Sequence, residues 1–305
     1  MIAPLPPGLD DDEIALRDSL PRPPPLQPLA TTGVWIVEWR DDDGPRPGTA
    51  LRQWLEARYP GWSRLVACRG RNDLVAAIKA ATWFARDARA SPILHLDARC
   101  DADGVEGTGH DGRTERITWH ELAPHLAALN IATRCNLMLV CGAGEDDVAA
   151  QLVTAGPRLP CVAVVAPTVA VAPAPWLIGM RRLYRCWHDG LPGVEDASAA
   201  MAPANLGATS MPDLAHAELV ARLLRATRPG HLAPGGNAAG IVAWLRGTTP
   251  DAVAPADARW PALPRQVQRY WRSLLLTDLY PLNLARFDFD ARTATWRILQ
   301  ARGLA

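Results

Sequence analysis

Two stretches decide the fold: PILHLDA, Pro92–Ala98, and NLMLVCG, Asn136–Gly142. Each is a short, almost unbroken run of apolar residues, too short for a globular helix and ended by charged or glycine-rich sequence, as expected of a strand buried on both faces. A helical pattern, WHELAPHLAALN (Trp119–Asn130), lies between them. Buried strands separated by helices predict a parallel α/β sheet covered on both faces.

The same alternation extends outward. GVWIVEW (Gly33–Trp39) predicts an earlier strand, and TALRQWLEARY (Thr49–Tyr59) predicts a helix after the turn-rich DDDGPRPG. In DLVAAIKAATWFARDA (Asp73–Ala88), Leu74, Ile78, Ala81 and Phe84 fall near one helical face, with Asn72 placed as N-cap. DADGVEGTGHDGR (Asp101–Arg113) predicts a hairpin, EDDVAAQLVTA (Glu145–Ala155) a helix with acidic residues in its first turn, and CVAVVAPT (Cys161–Thr168) a fourth strand. The fold class predicted is α/β, a three-layer sandwich with a mostly parallel sheet flanked by helices. Residues 1–32, rich in proline, predict an extended arm. Residues 33–207 form the predicted domain, and the amphipathic patterns of 208–305, broken by proline and glycine, predict a helical C-terminal extension packed on it.

Composition narrows the class further. Of 305 residues, 49% are hydrophobic and 21% charged, and 32 Lys+Arg balance 32 Asp+Glu, which argues against wholesale nucleic-acid binding, so no nucleic-acid partner is expected. The six cysteines, Cys68, Cys100, Cys135, Cys141, Cys161 and Cys186, include no CxxC pair, so neither a zinc site nor a disulfide framework is expected. No leader pattern opens the sequence and its apolar runs are short, so a cytoplasmic protein without a membrane span is expected. No GxGxxG or GxxxxGK[ST] follows a strand, so no nucleotide cofactor is expected. The chain holds 12 Trp against 3 Phe and 4 Tyr. A surplus of Trp and Arg suits protein interfaces.

Ligands of open parallel sheets sit at the carboxyl ends of the strands, which directs attention to the residues after Ala98, Gly142 and Thr168. There the chain resembles the caspase-like CHAT cysteine peptidases. PILHLDARCDADG resembles the strand of type "PILHxExHGxxDGI" that carries the family's catalytic His. NLMLVCGAGED resembles the "NLxVVLAACxG" strand that carries its Cys. CVAVVAPTVAVAPAPWLIGMRRLYRCWHDG resembles the following strand, its "GPT"-like turn and the "FYRxLxxG" helix. The resemblance covers Gly33 to about Asn205.

It implies a caspase-like sandwich and, in intact members, a thiol nucleophile with an imidazole base on adjacent strand ends. This sequence departs at both positions, with Arg99 where the His belongs and Gly144 where the Cys belongs. Glycine has no nucleophile and arginine does not act as a base near neutrality. The resemblance therefore implies a pseudopeptidase: a scaffold or regulatory subunit that binds a protein or peptide partner, such as an active peptidase or an NTPase. Cys100, Asp101, Glu145, Asp146 and Thr168 would line its former cleft.

The alternative is an active cysteine endopeptidase with a relocated dyad of His95 and Cys141. These lie about 13 Å and about 10 Å before the expected positions at roughly 3.3 Å per residue, displaced in the same direction on neighbouring strands. Cys100, next to Arg99, is also a candidate reactive thiol. His110, in the hairpin segment, is a candidate for swinging toward the strand ends.

Overall fold

A computed structural model describes residues 10–19, 31–40, 46–143, 148–155, 159–167, 171–189 and 206–211. The chain divides into two compact units, one of Met1 and Pro25–Met211, the other of Ile2–Pro24 and Pro212–Ala305.

The larger unit is built on an eight-stranded sheet. Its strands are β1 (Val34–Glu38), β2 (Ser63–Ala67), β3 (Ile93–Cys100), β4 (Gly104–Thr108), β5 (Thr114–Thr118), β6 (Met138–Ala143), β7 (Ala163–Pro167) and β8 (Leu206–Ser210). The main path runs β2-β1-β3-β6-β7-β8. Its first five strands are parallel and β8 pairs antiparallel with β7. The predicted hairpin is present as β4 and β5, attached antiparallel to the last two residues of β3. All five residues of β1 are buried, and so are seven of the eight in β3, Arg99 being the exception. This is the burial expected when helices cover both faces.

The helices of this unit are α2 (Pro47–Arg58), α3 (Arg71–Asp87), α4 (Trp119–Ala132), α5 (Val148–Thr154) and α6 (Pro173–His188). On one face α6 lies beside α2, and on the other α3 packs against α4 and α4 against α5. Strand alternation assigns core residues to the two layers. Trp35 and Leu94, paired across β1 and β3, face α3, where Trp35 meets Phe84 at 5.5 Å between ring centroids. Ile36 and His95, one residue on, face α6. Leu74, Ala77, Ile78, Ala81 and Ala85 form the buried stripe of α3, and each fully buried Leu or Ile contributes about 1.5–3 kcal/mol.

Local sequence fixes several ends. Thr118 caps α4 reciprocally with Glu121, its hydroxyl accepting from Glu121 N–H at 3.2 Å while the Glu121 carboxylate accepts from Thr118 N–H at 2.9 Å. Asn130, buried near the end of α4, donates to Leu159 C=O at 3.0 Å and accepts from Leu137 N–H at 3.1 Å. That tie leaves Asn136 and Leu137 in the connection, so β6 begins two residues later than the apolar run suggests.

Other expectations need correction. Asn72 is not the cap of α3: the helix begins at Arg71, whose N–H is taken by the Glu115 carboxylate of β5 at 2.8 Å. A partner from across the fold replaces the local cap. Strand β2 was not foreseen, because SRLVA has neither a continuous apolar run nor strict alternation. β8 crosses the boundary expected after residue 207, since its pairing with β7 carries the sheet to Ser210. In the smaller unit, Asp11–Ser19 forms a helix, α1, rather than extended chain. Asp10 accepts from Glu13 N–H at 2.8 Å and the Glu13 carboxylate accepts from Asp10 N–H at 3.2 Å, while the prolines flank this stretch without interrupting it. The extension expected over 208–305 lies outside the described residues beyond Met211.

Candidate functional site

The carboxyl ends of β1 and β3 meet the hairpin β4–β5 and the start of α2, with β6 paired on the other side of β3, and the register there determines which side chains share a face. Along β3 and β6 the pairs are Leu94 with Leu139, His95 with Val140 and Leu96 with Cys141, after which an irregularity brings Arg99 opposite Ala143. Gly142 fits this irregularity closely, since a Cβ there would lie 3.0 Å from Leu96 C=O and 3.1 Å from Ala98 C=O. Arg99 therefore stands at the strand end beside the residue that precedes Gly144.

His95 and Cys141 do not meet. Directly paired residues share a face and neighbours along a strand alternate, so Cys141 lies on the Leu96 face and His95 on the other. His95 is fully buried against α6, its Nδ1 2.5 Å from the Tyr184 hydroxyl and its ring 5.2 Å from that of Trp176. Burial, reinforced by the nearby Arg40 charge, pushes its pKa from 6.5 down to about 3, and its Nε2 has no hydrogen-bond partner among the described residues. Cys141 is buried on the opposite side, where its interaction with the Cys100 thiol and then burial hold its pKa well above the usual thiol range. A neutral thiol on one face and a neutral imidazole on the other make no nucleophile–base pair. The relocated dyad is thus corrected by strand alternation, which a common displacement along two strands does not overcome.

Cys100 is corrected as well. It is buried, with its thiol 3.9 Å from Ala98 C=O, while its neighbour Arg99 points outward with its side chain 69% exposed. None of the six cysteines is in a disulfide, and five are buried while Cys186 is half-buried. His110 pairs with Asp73 at 3.4 Å instead of approaching the strand ends.

Asp101 is committed to the hairpin. It accepts from Asp103 and Gly104 N–H at 2.9 and 3.1 Å and takes two bonds from Arg116, at 3.0 and 2.9 Å. Arg116 also reaches Glu106 at 2.7 Å and Asp103 at 3.2 Å. Glu106 in turn lies 3.5 Å from Arg99. The residue in the histidine position is thereby the outer member of an ion-pair network centred on Arg116. Gly144, Glu145, Asp146 and Thr168 lie outside the described residues.

The structure adds a polar cluster that the sequence reading passed over. Glu38 ends β1 and pairs in register with Asp97 of β3; both are buried. Asp97 accepts from Arg40 Nε at 2.7 Å and from Gly48 N–H at 2.5 Å, and Glu38 accepts from Thr49 N–H at 2.8 Å. The two carboxylates thus serve the free N–H groups of the first turn of α2, where the helix dipole favours negative charge. Burial nevertheless raises the Asp97 pKa, outweighing the Arg40 charge and the hydrogen bonds that lower it. The available signal was a lone acid near the end of each of two apolar strands, a pattern that buried strands avoid unless the acid is paired.

Among the described residues no group of three or more His, Cys, Asp and Glu is arranged to hold a metal ion. None of their helices is long and apolar enough to cross a membrane. No family model matches the chain, and no curated protein matches it either.

Proposed function

We propose that this chain is a catalytically silent relative of the caspase-like CHAT peptidases that acts as a scaffold or regulatory subunit, receiving a protein or peptide segment at the carboxyl ends of β3 and β6. The observation that carries this reading is the β3–β6 register. It sets an exposed arginine, engaged with Glu106, at the strand end and sends the one neighbouring His and Cys to opposite faces. The strand order β2-β1-β3-β6-β7, with a hairpin inserted directly after β3, accords with the order of motifs in the sequence. An active peptidase or an NTPase is the class of partner proposed, and the cytoplasm is the proposed compartment.

A peptidyl electrophile directed at cysteine peptidases tests the reading. The purified chain is expected to give no stoichiometric adduct, and the double substitution Arg99→His with Gly144→Cys is expected to create one at position 144. Labelling of wild-type Cys141 that disappears in His95→Ala refutes the silent-scaffold reading. Absence of labelling in the folded double variant refutes the descent of the cleft from a peptidase.

A further inference from the structure

The helices α2 and α6, which lie side by side over the His95 face of the sheet, present an arginine-rich outer surface. Arg52 and Arg58 of α2 and Arg182, Arg185 and His188 of α6 are exposed, and Arg181 is half-buried. The two helices contain a single acidic residue, Glu56, and Asp189, which directly follows α6, lies 3.3 Å from His188. Among the described residues no carboxylate forms an ion pair with any of these five arginines, whereas Arg116 on the hairpin is surrounded by three. The 32 to 32 charge balance of the whole chain therefore conceals a segregated basic face.

Partly exposed rings are interleaved with these charges. Tyr59 and His188 stack at 3.7 Å between centroids, Trp62 closes on His188 at 5.2 Å, and Trp54 lies 6.1 Å from Tyr59. Arg58 lies 5.8 Å from the Tyr59 ring and Arg181 5.8 Å from the Trp54 ring. Guanidinium groups that have no carboxylate partner among the described residues, set beside aromatic rings, are what a flexible polyanion with accessible planar bases requires. Arginines that neutralise phosphates release the condensed counterions to solution, and unstacked bases lie against the rings. A duplex keeps its bases stacked on one another, and an acidic peptide has no need of the rings.

We propose that the α2/α6 face docks single-stranded nucleic acid, a role independent of the cleft at the β3–β6 ends. Fluorescence anisotropy of the full chain with labelled oligo(dT) and oligo(U) of about 20 nucleotides measures this directly. Engagement of five phosphates predicts a slope of about −3.5 in log affinity against log salt, a loss of roughly 100-fold between about 50 and 200 mM. The triple reversal Arg52→Glu, Arg182→Glu, Arg185→Glu involves exposed side chains that form no ion pair among the described residues. It is expected to leave the melting temperature in place, to weaken binding at least about tenfold and to flatten that slope. Tyr59→Ala is expected to lower affinity for the oligonucleotides by about tenfold while leaving heparin binding unchanged.

The proposal is overturned if no oligonucleotide binds at low salt or if binding survives the triple reversal. It is equally overturned if polyglutamate, duplex DNA or anionic vesicles bind as tightly as the single strands. Those last outcomes would identify an acidic protein, a duplex or a membrane surface as the occupant.

Discussion

His95 makes the folded protein sensitive to acid in a way that can be calculated. The imidazole is fully buried against Tyr184 and Trp176, and its pKa falls from 6.5 to about 3 on folding, through burial first and the Arg40 charge second. Below 6.5 the unfolded chain takes up a proton there that the folded chain refuses, so stability is complete above 6.5 and declines as the pH falls toward 3. At about pH 4.5 the unfolded imidazole is almost wholly protonated and the folded one neutral, which costs about 3 kcal/mol relative to about pH 8.

The substitution His95→Gln removes the titration while keeping a polar group opposite the Tyr184 hydroxyl. Urea unfolding followed by tryptophan fluorescence, at about pH 8 and about pH 4.5, gives the stability of each protein at each pH. The variant starts less stable, but its loss between the two pH values is expected to be about 3 kcal/mol smaller than that of the wild type. Contributions from the other histidines and the carboxylates cancel in this comparison. Equal losses in the two proteins would show that His95 is reached by water or protonated in the folded state, and the buried, neutral imidazole described above would be wrong.

Three further outcomes are expected. Gly48→Ala, a change that usually favours a helix, is expected to destabilise by about 1–2 kcal/mol. A Cβ at this position would lie 2.7 Å from Asp97 Oδ2 and 3.0 Å from Glu38 Oε2 and would drive the Asp97 carboxylate off its N–H donor; thermal melting reports the sign. Thr118→Ala is expected to lower stability by about 1 kcal/mol by removing the reciprocal cap of α4, measurable by the same melts. Titration of native protein with an aromatic disulfide reagent should modify Cys186 alone, at a rate that rises with pH because burial and Asp189 raise that thiol's pKa. The remaining five cysteines should react only after denaturation; early reaction of Cys100 or Cys141 would contradict their burial.

Periodicity and punctuation in the sequence determined the strands β1, β3, β6 and β7, the helices that connect them and the β4–β5 hairpin. Each of these is encoded within about a dozen consecutive residues, as apolar runs, helical spacing, glycine or a cap such as Thr118. The identity of Arg99 at the end of β3 was equally legible, because a residue type needs no neighbours to be read. Tertiary structure alone decided the rest. Whether His95 and Cys141 meet depends on which residues of two distant segments are paired, and a register shift of a single residue exchanges the faces of a strand.

The Glu38–Asp97 pair became visible only when β1 lay beside β3 and the first turn of α2 supplied donors to both. The start of α3 followed Glu115, more than 40 residues away, rather than the adjacent Asn72. The basic face on α2 and α6 was hidden for the same reason. Net charge is a sum over the chain, and only packing two helices remote in sequence against each other separates arginines from carboxylates in space.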